Sequence, residues 1–399
     1  MPFRRRKPSV GRRIALLKIH LKKGDGMLIK NATVYMYGSF LSDMFVRLSN
    51  GKISEVSDSL SLLPGEDTVD LQGDYLVPGF VDVHIHAYQG SDTMHGEEAI
   101  RSMCRGLRKL GVAAICPTTM SASVADTQKA IDAVRMVMNS PEPHGSLVLG
   151  AHMEAPFLQS SAAGAQMKDF FLNPDWNVFL QMTSGHTEAV RIITLAPELE
   201  GSEDFIRRAA AVGIHVSIGH TAASAETVHR AMDLGADHIT HTFNAQTPLH
   251  HRLPGVPGAA LVEDRCFCEM ICDGVHLHRD IIKLITRCKG RKAIAVTDAM
   301  EAAGLPEGEY TLGGQKVLVR GNEARLTNGT LAGSVLTMPQ VMENLIHVFN
   351  VDPAAACAMC TSSPADSVGN ELCGRIAPGA PLPLTRWTRD WLFAQVIDV

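Results

Sequence analysis

Eight apolar runs of strand length, most of them followed by a helix-length amphipathic segment, constrain the fold of this chain more than any other feature. The runs fall near residues 76–86, 112–117, 146–153, 191–195, 214–219, 238–242, 266–272 and 293–297. Helical patterns fill most of the gaps, at 97–110, 124–139, 203–211, 225–234 and 279–288. Three of them stop at a glycine suited to a helix C-terminus: Gly111, Gly213 and Gly235. Buried strands alternating with helices predict a parallel sheet. Eight repeats predict an α/β fold of the (β/α)8 TIM-barrel type, with a doubly wound open sheet as the competing arrangement.

The flanks read differently. Residues 27–75 hold short alternating strands and turns, at 45–48, 52–56 and 68–71. Residues 306–330 predict a glycine-rich β-hairpin insertion, 339–350 a helix, and the tail from Gly374 a return to the small β-unit. The expected organisation is a basic extension at 1–26, a small β-sandwich domain from 27–75 plus about 370–399, and a barrel at 76–369. The extension carries nine Lys/Arg against one acid, a net +8, so the remainder carries −13 of the total −5. A transit peptide or a nucleic-acid arm are readings of such a leader; a disordered extension is the expectation, with Met27 opening the first strand. An acidic body argues against nucleic-acid binding, and no apolar run approaches a membrane span. Nine cysteines, an odd number in apolar surroundings, suit free thiols in a reducing cytoplasm. Cys357 and Cys360 match CxxC but lie in an Ala-rich helical stretch and read as structural.

The first barrel run ends in His84-Ile85-His86. Side chains alternate along a strand, so both histidines share one face, half of a metal site. Chemistry in a barrel collects at the C-terminal strand ends. The other ends carry His152-Met153-Glu154, Gly219-His220-Thr221, Thr240-His241-Thr242 and Thr297-Asp298-Ala299. Each is explicable alone as a buried polar group or a cap. Five converging on one rim make an N/O site for one or two divalent metals, zinc or iron first among them. Such a metal lowers the pKa of water toward roughly 7. A nearby carboxylate takes the proton and passes it to a leaving amine, a role Asp298 fits. The reaction class is metal-assisted hydrolysis of a C–N bond, most simply an amide.

These motifs resemble the amidohydrolase superfamily and, within it, the N-acetylglucosamine-6-phosphate deacetylases. The resemblance runs from about 27 to about 374. It rests on PGFVDVHIH at 78–86, GAHMEAPF at 150–157, GAQ at 164–166, IGHT at 218–221, THTFNA at 240–245, HHR at 250–252, DGVH at 273–276, VTDA at 296–299 and LAGS at 331–334. It implies that Glu154, His220 and His241 hold the principal metal, that His84 and His86 hold a second, and that Asp298 is the acid/base. It implies sugar contacts from Ala165, Asn244, Ala245, Asp273, Gly274, Val275, His276, Leu331, Ala332, Gly333 and Ser334. It implies that Arg252, with His251, reaches the substrate phosphate in a neighbouring subunit, hence a homodimer. Arg252 suits phosphate physically. The implied reaction converts N-acetylglucosamine 6-phosphate to glucosamine 6-phosphate and acetate. The galactosamine epimer is the nearest alternative substrate, and an inactive scaffold is the alternative of another class. Ala155, Gln246 and Leu253 depart from the family's usual Gly, Met and Glu, and the tail after Gly374 lacks its usual acidic continuation. His152 reads as a packing or supporting residue, His215, His229 and His238 as structural, and His250 and His278 as surface residues at about even odds. Glu97 and Glu98 read as acids matched to a helix dipole.

Overall fold

The computed structural model describes residues 26–399. The basic extension therefore lies outside the described residues, Gly26 excepted.

Eight parallel strands follow one another around the central sheet: Phe80–Ile85, Val112–Thr119, Ala151–Met153, Val190–Leu195, His215–Ile218, Ala236–Ile239, Phe267–Ile271 and Ala293–Val296. The third is preceded by a short piece, Leu147–Val148, that pairs only with the second. Most of these residues are fully buried, as expected of strands covered on both faces. The circle closes between the first and eighth strands through single contacts. Asp298 N–H donates to the His84 carbonyl at 2.9 Å. The Asp82 carboxylate accepts from Thr297 Oγ1 at 2.5 Å and from Thr297 N–H at 3.3 Å. Burial of Asp82 lifts its pKa to about 7 despite these donors.

The expected helices form at Glu97–Arg108, Val124–Asn139, Ser202–Ala211, Ala225–Asp233 and Arg279–Lys289. Their starts are capped where the sequence supplies an acceptor: Ser123 Oγ takes the Asp126 N–H, and Ser224 Oγ the Thr227 N–H. Glu97 and Glu98 open the first helix and Arg105 and Arg108 close it, matching the dipole. The helix Pro353–Cys360 buries Cys357 and Cys360, and burial pushes both thiols well above their ordinary pKa. That is the signature of inert core cysteines.

The small β-unit is a seven-stranded sheet drawn from both flanks. Its strands run Phe393–Ile397, Leu384–Trp387, Tyr75–Pro78, Met27–Met36, Ser39–Ser49 and Lys52–Ser57, with Asp67–Asp70 also on Met27–Met36. Its core, including Ile29, Val46, Leu48, Leu76, Leu382 and Leu384, is separate from the barrel's. Gly79 joins the two: a Cβ there would lie 2.5 Å from the Pro383 carbonyl and 2.7 Å from Ala113 Cβ. Only glycine permits that approach. The predicted hairpin insertion is a three-stranded antiparallel sheet, Gly308–Leu312, Gln315–Arg320 and Glu323–Leu326. The third strand was missed because it is short and alternates charged and apolar residues like the loop beside it. The helix expected at 339–350 is an α-helical turn, Met338–Glu343, continued as a π-helix, Asn344–Val348.

Candidate functional site

The strand ends deliver their polar side chains to one place. Glu154 Oε1 lies 3.1 Å from His220 Nε2 and 3.2 Å from His241 Nε2, and those nitrogens are 3.0 Å apart. His86 Nε2 lies 3.3 Å from Glu154 Oε2 and 3.2 Å from Asp298 Oδ1. His84 Nε2 lies 3.5 Å from both Glu154 Oε1 and Asp298 Oδ1. All six side chains expected to form the metal and acid/base set are therefore brought together, and all six residues are buried.

A supporting layer fixes the imidazoles. His220 Nδ1 donates to the Ala162 carbonyl at 2.9 Å, and His86 Nδ1 faces the Thr118 carbonyl at 3.3 Å. Each contact leaves Nε2 as the lone-pair end. His84 Nδ1 donates to Glu269 Oε2 at 2.9 Å. Glu269 comes from the middle of the seventh strand, is fully buried, and was passed over in the sequence because it sits inside an apolar run. The signal was present: a lone carboxylate in a buried strand requires a partner. Gln166, whose part the GAQ motif alone does not reveal, braces the Glu154 carboxylate. Its Nε2 donates to Glu154 Oε2 at 2.6 Å while its Oε1 accepts from Ser121 N–H at 2.8 Å. His152 is a supporting residue, as read from the sequence. Nδ1 bonds the Val83 carbonyl at 3.0 Å and Nε2 meets Thr194 Oγ1 at 2.8 Å. Burial drives its pKa down to about 3, so it is neutral.

The electrostatics call for a cation. Burial alone would raise the pKa values of Glu154, Asp298 and Glu269, but the surrounding imidazoles, His84 foremost, hold all three below the ordinary carboxylate range. Burial alone would lower His84, but Glu269, Asp298 and Glu154 outweigh it and lift it to about 9. His86 is raised well above its usual value against the same burial penalty. Positive charge is stabilised between these groups, whether it arrives as protons or as a metal. The donor set suits a divalent metal. Ligands about 2.0–2.2 Å from a tetrahedral zinc lie roughly 3.3 Å apart, close to the edges of the Glu154–His220–His241 triangle. The donor atoms of His84, His86 and Asp298 form a second group within 4.8 Å of one another. His84 Nε2 is buried with no hydrogen-bond partner and belongs to that group.

Five residues in the turns after the fifth, sixth and eighth strands hold unusual backbone. His220, His241 and Asp298 have φ of 47°, 29° and 48°, and Phe243 and Ala245 have 78° and 51°. Non-glycine residues rarely take this left-handed region, and where they do the surroundings must enforce it. Thr221 Oγ1 and Ala222 N–H, both bound to Glu198 at 2.5 and 2.7 Å, pin the turn after His220. Ser334 N–H donates to the Asp298 carbonyl at 2.7 Å and pins the turn at Asp298.

A cavity of about 330 Å³ opens above these residues. Of the residues expected to touch substrate, Ala165, Asn244, Ala245, His276, Leu331 and Gly333 line it. His276 is oriented by Asp273, whose Oδ2 accepts from Nδ1 at 2.7 Å. Asp273, Gly274, Val275, Ala332 and Ser334 do not line it. Asp273 Oδ1 accepts the Val275 and His276 N–H groups, and Ser334 Oγ donates to the Thr297 carbonyl at 2.5 Å. The insertion sheet reaches the same rim through Leu312, and Gln315 Nε2 donates to the Ala165 carbonyl at 2.6 Å. His251 and Arg252 are not brought to the cavity of their own chain. They lie on an exposed loop, with Arg252 Nη1 2.6 Å from His251 Nε2, between the exposed Leu249 and Leu253.

A remaining His/Asp group sits at the opposite end of the barrel. Asp237 joins His215 Nδ1 and His238 Nδ1, each at 2.7 Å, where the fifth and sixth strands begin. These contacts satisfy both carboxylate oxygens, in keeping with a structural role for the two histidines.

The model of the Amidohydrolase family matches residues 75–392. An N-acetylglucosamine-6-phosphate deacetylase of Lysinibacillus sphaericus is 37% identical over 328 residues, covering 81% of this chain and 84% of that protein. An N-acetylgalactosamine-6-phosphate deacetylase of Escherichia coli O157:H7 is 31% identical over 342 residues, covering 85% and 89%. Among solved structures, a variant N-acetyl-D-glucosamine-6-phosphate deacetylase of Mycobacterium smegmatis, in complex with N-acetyl-D-glucosamine-6-phosphate, superposes with a TM-score of 0.86 at 26% identity. That match covers 94% of this chain and 100% of the other.

Proposed function

We infer that this chain, which belongs to the amidohydrolase family, removes the acetyl group from N-acetylglucosamine 6-phosphate, giving glucosamine 6-phosphate and acetate. The observation that carries the reading is the ring of Glu154, His220 and His241, mutually 3.0–3.2 Å apart, with Asp298 beside it at the floor of an open cavity. Glu154, His220 and His241 would hold one divalent metal, with His84, His86 and Asp298 available to a second; zinc and iron are the favoured ions. When bound, such a metal supplies Lewis acidity, lowering the pKa of water toward roughly 7 and polarising the amide carbonyl.

The chain's own residues do the rest. Asp298, ionised at neutral pH, takes a proton from water as its oxygen bonds to the acetyl carbon. It delivers that proton to the amide nitrogen as the C–N bond breaks, so the amine leaves neutral. His276, with Nδ1–H committed to Asp273, offers Nε2 to a sugar hydroxyl. Asn244 and Ala245, held in a strained turn, wall the sugar subsite. Residues 76–369 form the catalytic barrel and 27–75 with about 370–399 the small β-domain, a division supported by a second core cluster in the small domain, while Tyr35, Trp387 and Trp391 pack into the barrel's and join the two.

The phosphate is assigned to His251 and Arg252 of a second copy, which makes the working enzyme a homodimer. Their exposed loop, flanked by Leu249 and Leu253 at 46% and 74% exposure, supports this reading. Among the described residues no helix is long and apolar enough to cross a membrane. Nine free cysteines, eight of them buried, support a reducing cytoplasm.

Purified protein loaded with Zn²⁺ or Fe²⁺ should release acetate from N-acetylglucosamine 6-phosphate. A folded, metal-loaded protein that releases none refutes the reaction. The same assay on the galactosamine epimer decides between the two sugars. A stable protein that binds no metal would restore the scaffold reading, against which stands the presence of all six site residues.

A further inference from the structure

We propose that Glu269 is the positioning residue of the second cation group: it orients His84 as a ligand and places a buried carboxylate where it favours a divalent cation there. The inference rests on the metal-hydrolase reading above.

The orienting part follows from two contacts made by one atom. Glu269 Oε2 accepts from His84 Nδ1 at 2.9 Å and from the His241 backbone N–H at 3.0 Å. An ionised carboxylate can only accept, so the proton of a neutral His84 must sit on Nδ1. The opposite tautomer would set the Nδ1 lone pair against a carboxylate lone pair. Nε2 is thereby left bare, 3.5 Å from both Glu154 Oε1 and Asp298 Oδ1, buried and without a partner. A bare nitrogen between two carboxylate oxygens is unfavourable until a cation lies among them. The same Oε2 also accepts the His241 backbone N–H, but the His241 imidazole itself lies against Glu154 and His220, not Glu269.

The charge part follows from proximity. Glu269 adds a buried carboxylate beside Glu154 and Asp298, and the imidazoles are neutral when they act as ligands. Its side-chain contact is with His84, so neutralising residue 269 weakens the attraction for a cation in the group of His84, His86 and Asp298 more than in the Glu154–His220–His241 triangle. Only the chain's charge and geometry enter here, since Glu269 itself touches no substrate and no reacting atom.

Two substitutions separate the parts. Glu269→Gln keeps the shape and a carbonyl acceptor but removes the charge. Glu269→Asp keeps the charge but withdraws it from His84 by one methylene. Full-length protein stripped of metal would be titrated with Co²⁺, following the visible absorption of each site, with bound Zn²⁺ counted by elemental analysis after desalting. Wild type should hold two equivalents. Both variants should hold the first equivalent within about threefold of wild type and bind the second about 10–100-fold more weakly, the usual cost of losing a partner of a ligand histidine. Circular dichroism establishes that each variant is folded, and the aspartate variant serves if the glutamine variant does not fold. A second equivalent held as tightly in the variants as in wild type overturns the proposal. So does equal weakening of both equivalents, or a wild type that binds only one. Acetate release by metal-loaded wild type is measured alongside, so failure of the reaction and failure of the metal count are separate results.

Discussion

Gly333→Ala tests whether the turn behind Asp298 holds the acid/base where it must be. Gly333 has φ of 62°, and a Cβ built on it would lie 2.9 Å from the Asp298 carbonyl oxygen, 3.6 Å from Met300 Cβ and 3.7 Å from Asp298 Oδ1. Ordinary contact begins near 3.4 Å, so the Asp298 peptide must move by about half an ångström. It is not free to do so. Its N–H is bound to His84 and its carbonyl to Ser334, at 2.9 and 2.7 Å. Two costs result. Left-handed backbone at a residue with a Cβ costs about 1–2 kcal/mol, of which the stiffer unfolded chain returns about 0.4–1. The net, about 1 kcal/mol, lowers Tm by roughly 1 °C for a chain of this length, taking an unfolding entropy of about 2 cal/mol/K per residue. The second cost is catalytic. A 1 Å misplacement can cost about a hundredfold in rate, so half of that predicts a fall in kcat of roughly tenfold. Gly321→Ala is the control, because Gly321 has φ of 61° and nothing within 4 Å of its Cβ position. It should lose similar stability and no activity. The assays are thermal unfolding and steady-state acetate release. If Gly333→Ala turns over within twofold of Gly321→Ala, the placement of Asp298 does not depend on this turn and the reasoning is wrong.

Asp298→Asn should lower kcat by about 10²–10⁴-fold, the usual worth of a general acid/base, with the first metal equivalent held within a factor of two of wild type; near-wild-type turnover would remove Asp298 from the reaction. Arg252→Ala should raise KM for the phosphorylated sugar by about 10–100-fold, the worth of a hydrogen bond to a charged group, and leave the unphosphorylated sugar's kcat/KM unchanged. An equal effect on both sugars would show that Arg252 does not read the phosphate. Asp237→Asn should alter the acid limb of stability. Burial opposes ionisation of Asp237, but His238 and His215 outweigh it and hold its pKa below the ordinary value. A depressed folded pKa means stability that is fully present above about pH 4 and is lost as pH falls through the folded value. The Tm gap between wild type and Asp237→Asn should therefore be widest near neutral pH and close on acidification, and a gap that widens instead would contradict the ion-pair account.

The catalytic rim was legible because strand periodicity and strand-end placement are local. His84 and His86 share a face by alternation, and Glu154, His220, His241 and Asp298 each end a run whose apolar residues mark it as buried. What escaped detection were the carboxylates and amides that act across strands. Glu269 and Asp82 lie inside apolar runs, and their partners, His84 and Thr297, are distant in the chain, so nothing adjacent announces the pairing. Gln166 reaches Glu154 from a loop whose path has no periodicity to read. Arg252 shows the complementary limit. Its chemistry suits a phosphate, yet the fold of a single copy leaves it on the surface. The boundaries of the insertion were blurred because the strand Glu323–Leu326 is short and polar on alternate residues.

The strand Tyr75–Pro78 feeds directly into the first barrel strand; it lies between Met27–Met36 and an antiparallel partner, Leu384–Trp387, with Thr385 bonded to the Val77 carbonyl 308 residues away in sequence. During synthesis Val77 leaves the ribosome long before Thr385 exists. The root of the histidine-bearing strand is thus held on one side only, by Met27–Met36, until this distant clasp arrives, so the nascent barrel waits half-latched for nearly its whole translation. Cleavage between residues 334 and 384 would leave a chain holding every catalytic group and lacking the clasp that seats the first of them.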